Sequence, residues 1–596
     1  MKNNKHRYQR LGYAIVLTAL VTGCAQQHIP EAKITTDKSQ SVTDQFAITE
    51  QLSAPATANK TRPQPVEEQA RELARTAQHA KSEQQYRQKE KRSLRPMHGS
   101  ITPFIQSSIQ YNDYASGNIQ DKEKYAKYVK NLVKQTAIEP LSTFSIDVDT
   151  GSYSNVRRLI NSGTLPLKDA VRVEEMLNYF SYDYKNTPEN NAPFISRTET
   201  APSPWSKHHH LLQIGIKAID IEARQLPAAN LVFLIDVSGS MASENKLGLL
   251  KKSLGLLVSK MRKQDTISLV VYAGASGIVL EPTSGDQKSL INNALSRLRA
   301  GGSTNGASGI QLAYQVAQQA YIKNGINRIL LATDGDFNVG TVNFNQLIEL
   351  VEEKRKTGIS LSTLGFGHGN YNDQLMEQLA DSANGKYSYI DTLKEAQKVL
   401  IDEMSSSLKT VAKDVKIQIE FNPSVVAEYR LIGYENRRLN EEDFNNDNVD
   451  AGEIGAGHTV TAFYEIVLSS SQYRQIDPLR YQQESADNVT NSNELAFVKI
   501  RYKEPQHDVS KLITQAVPVS AIRRTIEQTS DDFRFASSVI GFAELLKDEQ
   551  QHKEIDFDQV IKLSTAARGK DLFGYRSEFT QLVKLAQSLK FTALQQ

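Results

Sequence analysis

The sequence is short of cysteine, of charge of one sign and of long apolar runs, and each shortage narrows what the chain can be. Its 596 residues include one cysteine, Cys24, which excludes an intramolecular disulfide. Lys and Arg total 70 against 68 Asp and Glu, so the overall charge points to neither nucleic acid nor an acidic substrate. After residue 23 no apolar run approaches the roughly 20 residues a spanning helix needs. What is present is length enough for several domains and at least two hydrophobic cores.

The first 23 residues read as a targeting segment. Lys2, Lys5, Arg7 and Arg10 form a basic start, 11–21 a short apolar core, and Val21-Thr22-Gly23-Cys24 closes it. That ending resembles the lipobox of bacterial lipoproteins, which implies cleavage before Cys24 and diacylglycerol on its sulfur. Acyl chains anchor by burying methylenes, so the protein would be held at a membrane without spanning it. Ala25 stands where Asp would signal inner-membrane retention, so the resemblance implies the outer membrane, facing the periplasm. Residues 25–100 carry only Phe46 and Tyr86 as aromatics and read as a disordered tether, with transient helix over 66–91. Its basic end, Lys81 to Arg95, reads as a solvated linker.

Order is expected from residue 120. Tyr125, Tyr128, Val129, Leu132 and Val133 have helical spacing within 121–136; a strand follows over 142–149 and helices over 152–161 and 168–179. Asp147-Val148-Asp149-Thr150 lacks the residue a haloacid-dehalogenase nucleophile motif needs next, since Gly151 stands there. It also lacks the Gly and Glu of an EF-hand loop, which leaves a strand end and helix cap. Strands are expected over 195–200 and 210–221. His208, His209 and His210 alternate faces there and cannot close on one ion.

From 229 to 408 strands alternate with helices, the pattern of a doubly wound α/β domain with a largely parallel sheet. From 414 to 503 the pattern is all-β. The α/β domain is therefore expected to be inserted in a β-sandwich, because the two strands before it need partners. Helices are expected over 532–546, 556–567 and 576–589, with Ser530 capping the first. The division is 1–23 signal peptide, 24–119 lipidated cysteine and tether, and 120–228 N-terminal region with helices and sandwich strands. It continues with 229–410 α/β domain, 411–505 sandwich strands and 506–596 helical region.

The candidate site lies in 231–241. A short, apolar, β-branched run leads into Asp236, Ser238 and Ser240, three oxygen donors at i, i+2 and i+4. Alone, they fit an ion site or a helix N-cap equally well. Two further stretches bear on the choice: Gly301-Gly302-Ser303-Thr304 at a helix start, and Thr333-Asp334-Gly335 at the end of a buried strand. Together the three pieces resemble the von Willebrand factor type A (VWA) domain and its metal-ion-dependent adhesion site. The resemblance assigns Ser238, Ser240 and Thr304 as hydroxyl ligands, and Asp236 and Asp334 as direct or water-mediated ones. The ion would be Mg²⁺ (or Mn²⁺/Ca²⁺). Two carboxylates leave it an open position that an Asp or Glu of a protein partner would fill.

The resemblance extends over about 120–590. Phe144-Ser-Ile-Asp-Val-Asp-Thr-Gly-Ser-Tyr153, Ala170-Val-Arg-Val-Glu-Glu-Met176, Ala332-Thr-Asp-Gly-Asp-Phe-Asn-Val339 and Asp450-Ala-Gly-Glu-Ile-Gly-Ala-Gly-His458 resemble bacterial YfbK-like lipoproteins. In those, family-specific N- and C-terminal regions flank the A domain. The expectation is a membrane-anchored, cation-dependent adhesion or scaffold module, not an enzyme. A metal-dependent hydrolase would need a base near the ion, and only His368 in its Gly-rich loop offers one in this domain. A metal-free envelope scaffold is the other alternative. Asp443, Asn445 and Asp447 alternate in the acidic loop Asp443 to Asp450, where Ile454 replaces an EF-hand's closing Glu. The loop reads as a polar connection before it reads as a Ca²⁺ site. The helix over 394–408, which leaves the A domain, is expected to relay partner binding to the sandwich.

Overall fold

Every residue of the strand Ala229–Asp236 is buried, because parallel strands flank it on both sides and helices cover both faces of the sheet. Thr266–Tyr272 lies on one side and Ile326–Thr333 on the other. A strand enclosed in this way has no polar face, so its sequence is a continuous apolar run. The full sheet runs Tyr387–Ile390, Ser360–Phe366, Ile326–Thr333, Ala229–Asp236, Thr266–Tyr272, Ser276–Ser284. One face carries Leu250, Leu254, Leu257 and Val399; the other carries Ile310, Ala313, Leu347 and Leu379. Helices thus cover both faces of a doubly wound sheet. The last strand, Ser276–Ser284, is antiparallel and at the edge, and it is absent from the sequence reading. With Pro282 and mostly outward-facing residues it carries no alternating signal, as edge strands commonly do not.

This is a computed structural model, and it describes residues 123–184, 192–335, 344–369, 371–477, 493–547 and 554–595. The leader, Cys24 and the tether with its expected helix lie outside the described residues. Among the described residues no helix is long and apolar enough to cross a membrane.

Two further sheets pack on each other. One runs Lys134–Gln135, Val426–Ile432, Thr459–Leu468, His210–Ala218, Phe194–Pro202. The other runs Ile454–Gly455, Thr410–Phe421, Glu494–Lys503, Ser510–Pro518, with Leu141–Ser145 also paired to Thr410–Phe421. Ile214, Ile216 and Tyr464 from the first share one core with Ile417, Val498 and Ile500 from the second. Strands from before the α/β domain pair with strands from after it: His210–Ala218 with Thr459–Leu468, and Leu141–Ser145 with Thr410–Phe421. The α/β domain is therefore an excursion from a β-sandwich.

The helices Gly151–Asn161, Val173–Asn178, Asp531–Lys547, Phe557–Ala566 and Tyr575–Gln595 build the remaining core. Tyr153, Tyr179 and Phe180 meet Phe535 and Phe579 in it. Ser530 Oγ accepts the Phe533 N–H at 3.1 Å, the cap expected there.

Three expectations change. Residues 123–133 are not helical, and Val129 and Leu132 are 80% and 69% exposed. Asn131 Nδ2 instead donates to the carbonyls of Leu431 and Gly433 at 3.1 and 2.7 Å, and Lys134–Gln135 joins the sandwich edge. Tertiary bonds override the helical spacing. Secondly, Ser510–Pro518 is a strand within the stretch assigned to the helical region; only one of its residues is buried, so it shows no apolar alternation. Thirdly, the 394–408 helix is broken into Leu393–Gln397, a π-type turn over Lys398–Asp402, and Met404–Leu408. At the break the half-buried Glu403 carboxylate lies between the ammonium groups of Lys386, at 3.1 Å, and Lys398.

Candidate metal centre

Chain order places the site. The chain runs from the central strand Ala229–Asp236 to its neighbour on one side, then crosses to Ile326–Thr333 on the other. Such a reversal leaves a crevice at the carboxyl ends of the strands. Asp236 and Asp334 stand at those ends, on paired strands in register at Ile235 and Ala332.

Asp236 is fully buried. Its Oδ1 accepts the Ser238 N–H and its Oδ2 accepts the Thr333 hydroxyl, both at 2.8 Å. Burial pushes this carboxyl above its usual range; the bonds from Ser238 and Thr333 oppose that shift and the Asp334 charge adds to it. A carboxylate so placed is stabilised by any cation brought to it. Ser238 Oγ and Ser240 Oγ lie 3.0 Å apart beside it.

The third piece is tied to the first by its backbone. Gly301 N–H donates to Val237 O at 2.8 Å, and Gly239 N–H donates to Gly302 O at 3.0 Å. Gly302 has φ +86°, a left-handed conformation that a side chain would strain. This brings Thr304, half-buried, to the start of the helix Gly306–Gln319. The structure thus brings the turn of Asp236, Ser238 and Ser240 against the 301–304 loop and next to the strand end of Asp334. The donors are carboxylate and hydroxyl oxygens, a set that fits a hard divalent cation.

One residue here is missing from the sequence reading. Lys246, from the turn Glu244–Gly248 that opens the next helix, donates from Nζ to Asp334 Oδ2 at 2.8 Å. A lysine at a helix start gives no sign of the distant carboxylate it meets.

Other candidates resolve differently. The Asp147 and Asp149 side chains do not cap the helix that follows; its N-cap, Thr150, makes no side-chain cap bond. Asp147, Asp149 and Glu377 carboxylates lie within 4.8 Å of one another, but the Arg437 guanidinium stands among them. It reaches Asp147 at 3.0 Å, Asp149 at 3.2 Å and Asp381 at 2.6 Å. In the acidic loop, Lys416 Nζ donates to the carbonyls of Asp443 and Asn446, and Lys503 Nζ to that of Asp447. The candidate side-chain oxygens do not turn to one point: Asp443 Oδ2 accepts the Asn440 N–H, Asn445 Oδ1 accepts from Arg501, and Asp447 Oδ2 accepts the Ser510 N–H. His209 bonds Glu465 at 2.8 Å and His208 stacks on Tyr473, so the three histidines do not converge. His368 is exposed in its loop.

Three family models match the chain: von Willebrand factor over 119–213, von Willebrand factor type A domain over 230–403, and Uncharacterized protein YfbK, C-terminal, over 406–589. Uncharacterized protein YfbK of Escherichia coli (strain K12) is 49% identical over 473 residues, which is 78% of this chain and 81% of that protein. Uncharacterized protein sll0103 of Synechocystis is 24% identical, over 58% of this chain and 77% of its own length. Among solved structures, von Willebrand factor type A from Catenulispora acidiphila is 14% identical, covering 66% of this chain and 91% of its own, with a TM-score of 0.37.

Proposed function

The chain belongs to the YfbK family, whose members carry a VWA domain between family-specific regions, and from that premise we propose that it is a lipid-anchored, divalent-cation-dependent protein-binding module. VWA domains commonly mediate protein–protein interaction. Here Asp236, Ser238, Ser240, Thr304 and Asp334 would hold Mg²⁺, or Mn²⁺ or Ca²⁺ in its place. The bound cation would offer an open coordination position to an Asp or Glu carboxylate of another protein.

The chain's own residues prepare that position. Thr333 and the Ser238 N–H hold the Asp236 carboxylate in place before the ion arrives. The two serine hydroxyls already sit side by side, so little side-chain freedom remains to be lost on binding. The observation that carries the proposal is this convergence of Asp236, Ser238 and Ser240 at the chain reversal of the sheet, next to Asp334. The histidine of this domain, His368, is exposed in a Gly-rich loop, and we place the protein outside the enzymes. Diacylglycerol on Cys24 and the long tether would hold the module at the outer membrane, facing the periplasm.

Calorimetric titration of the full chain with Mg²⁺ and Mn²⁺ tests the ion site. Wild type should take up one ion and Asp236→Ala none. Equal uptake by both, or none by wild type, overturns the proposal. Crosslinked pull-down in Mg²⁺ against EDTA, with Asp236→Ala as control, then tests whether capture of a partner depends on the ion.

A further inference from the structure

The Lys246–Asp334 pair is built more firmly than a surface salt bridge. The two side chains are 13% and 1% exposed, and Nζ lies 2.8 Å from Oδ2. The methylene stem passes over Gly367, which has φ +78°; any side chain there would run into Lys246 Cγ and Cε. The Gly367 carbonyl is in turn held by the Tyr389 hydroxyl. Three elements therefore shape the path of this ammonium to Asp334: the turn Glu244–Gly248, the end of the strand Ile326–Thr333, and the loop after Ser360–Phe366. By contrast Lys252, on the same helix, meets Glu244 at 3.6 Å with both side chains largely exposed.

We infer that Lys246 is a built-in competitor of the divalent cation, an ammonium that occupies Asp334 when the ion is absent and holds the ion's affinity down when it is present. The inference rests on the ion-site reading above and adds to it a residue that sets affinity. A divalent cation bound at Asp334 comes within contact range of a like charge that cannot swing freely away, since Gly367 and Asp334 confine it. Like charges at that range repel strongly even at the effective dielectric of a protein.

Charge counting gives the consequence. Asp236 and Asp334 with Lys246 sum to −1, so a divalent ion leaves the loaded site at +1. Without the ammonium the loaded site would be neutral. Lys246 thus weakens the grip on the metal while keeping the loaded site positive, the condition under which it attracts a carboxylate. The site is made reversible in the ion and selective for acidic ligands by the same side chain.

The test is calorimetric titration of full-length wild type, Lys246→Met and Lys246→Arg with Mn²⁺ alone. Removing the charge should tighten Mn²⁺ binding about tenfold or more, given charges a few ångströms apart, whereas Lys246→Arg should stay near wild type. Thermal unfolding gives a second readout. In EDTA Lys246→Met should melt below wild type, because the buried Asp334 loses its ammonium partner, and saturating Mn²⁺ should close the gap. Should Lys246→Met fail to fold, Lys246→Gln carries the same expectation. If wild type binds Mn²⁺ and the neutral variant binds it no tighter, the role of Lys246 falls and the ion site stands. If neither binds Mn²⁺, the ion site falls and this inference with it.

Discussion

Thr333 donates its hydroxyl to Asp236 Oδ2 at 2.8 Å across two neighbouring parallel strands. The residue before one site carboxylate therefore positions the other. Both side chains are fully buried, so the bond is made where a missing donor is costly. Thr333→Val keeps shape and β-propensity but leaves the carboxylate oxygen without that donor. Denaturant unfolding in EDTA should show a loss of about 1–3 kcal/mol. Loss within error would mean that another group takes over this oxygen.

The two glycines of the site should differ in what they tolerate. Gly302 and Gly335 have φ +86° and +78°, so alanine at either meets the left-handed penalty of about 1–2 kcal/mol. A Cβ on Gly302 finds its nearest neighbours at an ordinary 3.6 Å. On Gly335 it would lie 2.6 Å from the Asn372 backbone nitrogen and 2.7 Å from the Tyr371 ring. That crowding adds about 1–3 kcal/mol. Gly335→Ala should thus be clearly less stable than Gly302→Ala by urea unfolding; equal losses would contradict the packing described.

The strand and turn around Asp236 are legible in sequence because their signal is local: the buried parallel strand carries a continuous apolar run over 231–235, and its ligands follow within four residues. The sandwich is legible for a related reason wherever apolar and polar residues alternate along a strand, as they do over 415–421. What stays hidden is non-local. Lys246 meets Asp334 across 88 residues, and Arg437 meets Asp147 across 290; neither arginine nor lysine advertises its partner in its own neighbourhood. The edge strands Ser276–Ser284 and Ser510–Pro518 escape because an edge facing solvent needs no apolar alternation. The helix expected over 121–136 fails because hydrogen bonds from Asn131 to the sandwich outweigh spacing alone.

Arg437 should matter far more than its position in a connecting turn implies. Its guanidinium reaches Asp147, Asp149, Asp381 and Glu377, which join the sandwich to the α/β domain. Arg437→Met strands buried carboxylates and should cost about 3–5 kcal/mol. Lys499→Met, which breaks a largely exposed pair with Glu420 (25% and 52% side-chain exposure), should cost about 1 kcal/mol or less. Adding Asp149→Asn to Arg437→Met should recover part of the loss, since it removes one stranded charge; strict additivity would argue against the cluster acting as a unit.

At the exit from the α/β domain, pH should act through His458. Burial, reinforced by the charges of Lys386 and Lys398 and opposed by Glu403, pushes its imidazole from 6.5 down to about 3. Glu403 faces the same lysines, which hold its carboxyl well below the usual range. Between about 6.5 and 3 the unfolded chain takes up a proton on this histidine that the folded chain refuses. Stability therefore falls as pH falls through that window, by up to about 1.4 kcal/mol per unit for this one group. His458→Gln removes the group and leaves the carboxylates in place, so their own titrations largely cancel in the difference between the two proteins. Urea unfolding at several values from pH 7.5 to 4.5 should show wild type losing stability faster than His458→Gln below pH 6.5, with a constant offset above it. Parallel curves across the range would show that the imidazole takes its proton in the folded chain, and that it is not sealed between the domain's last helix and the sandwich.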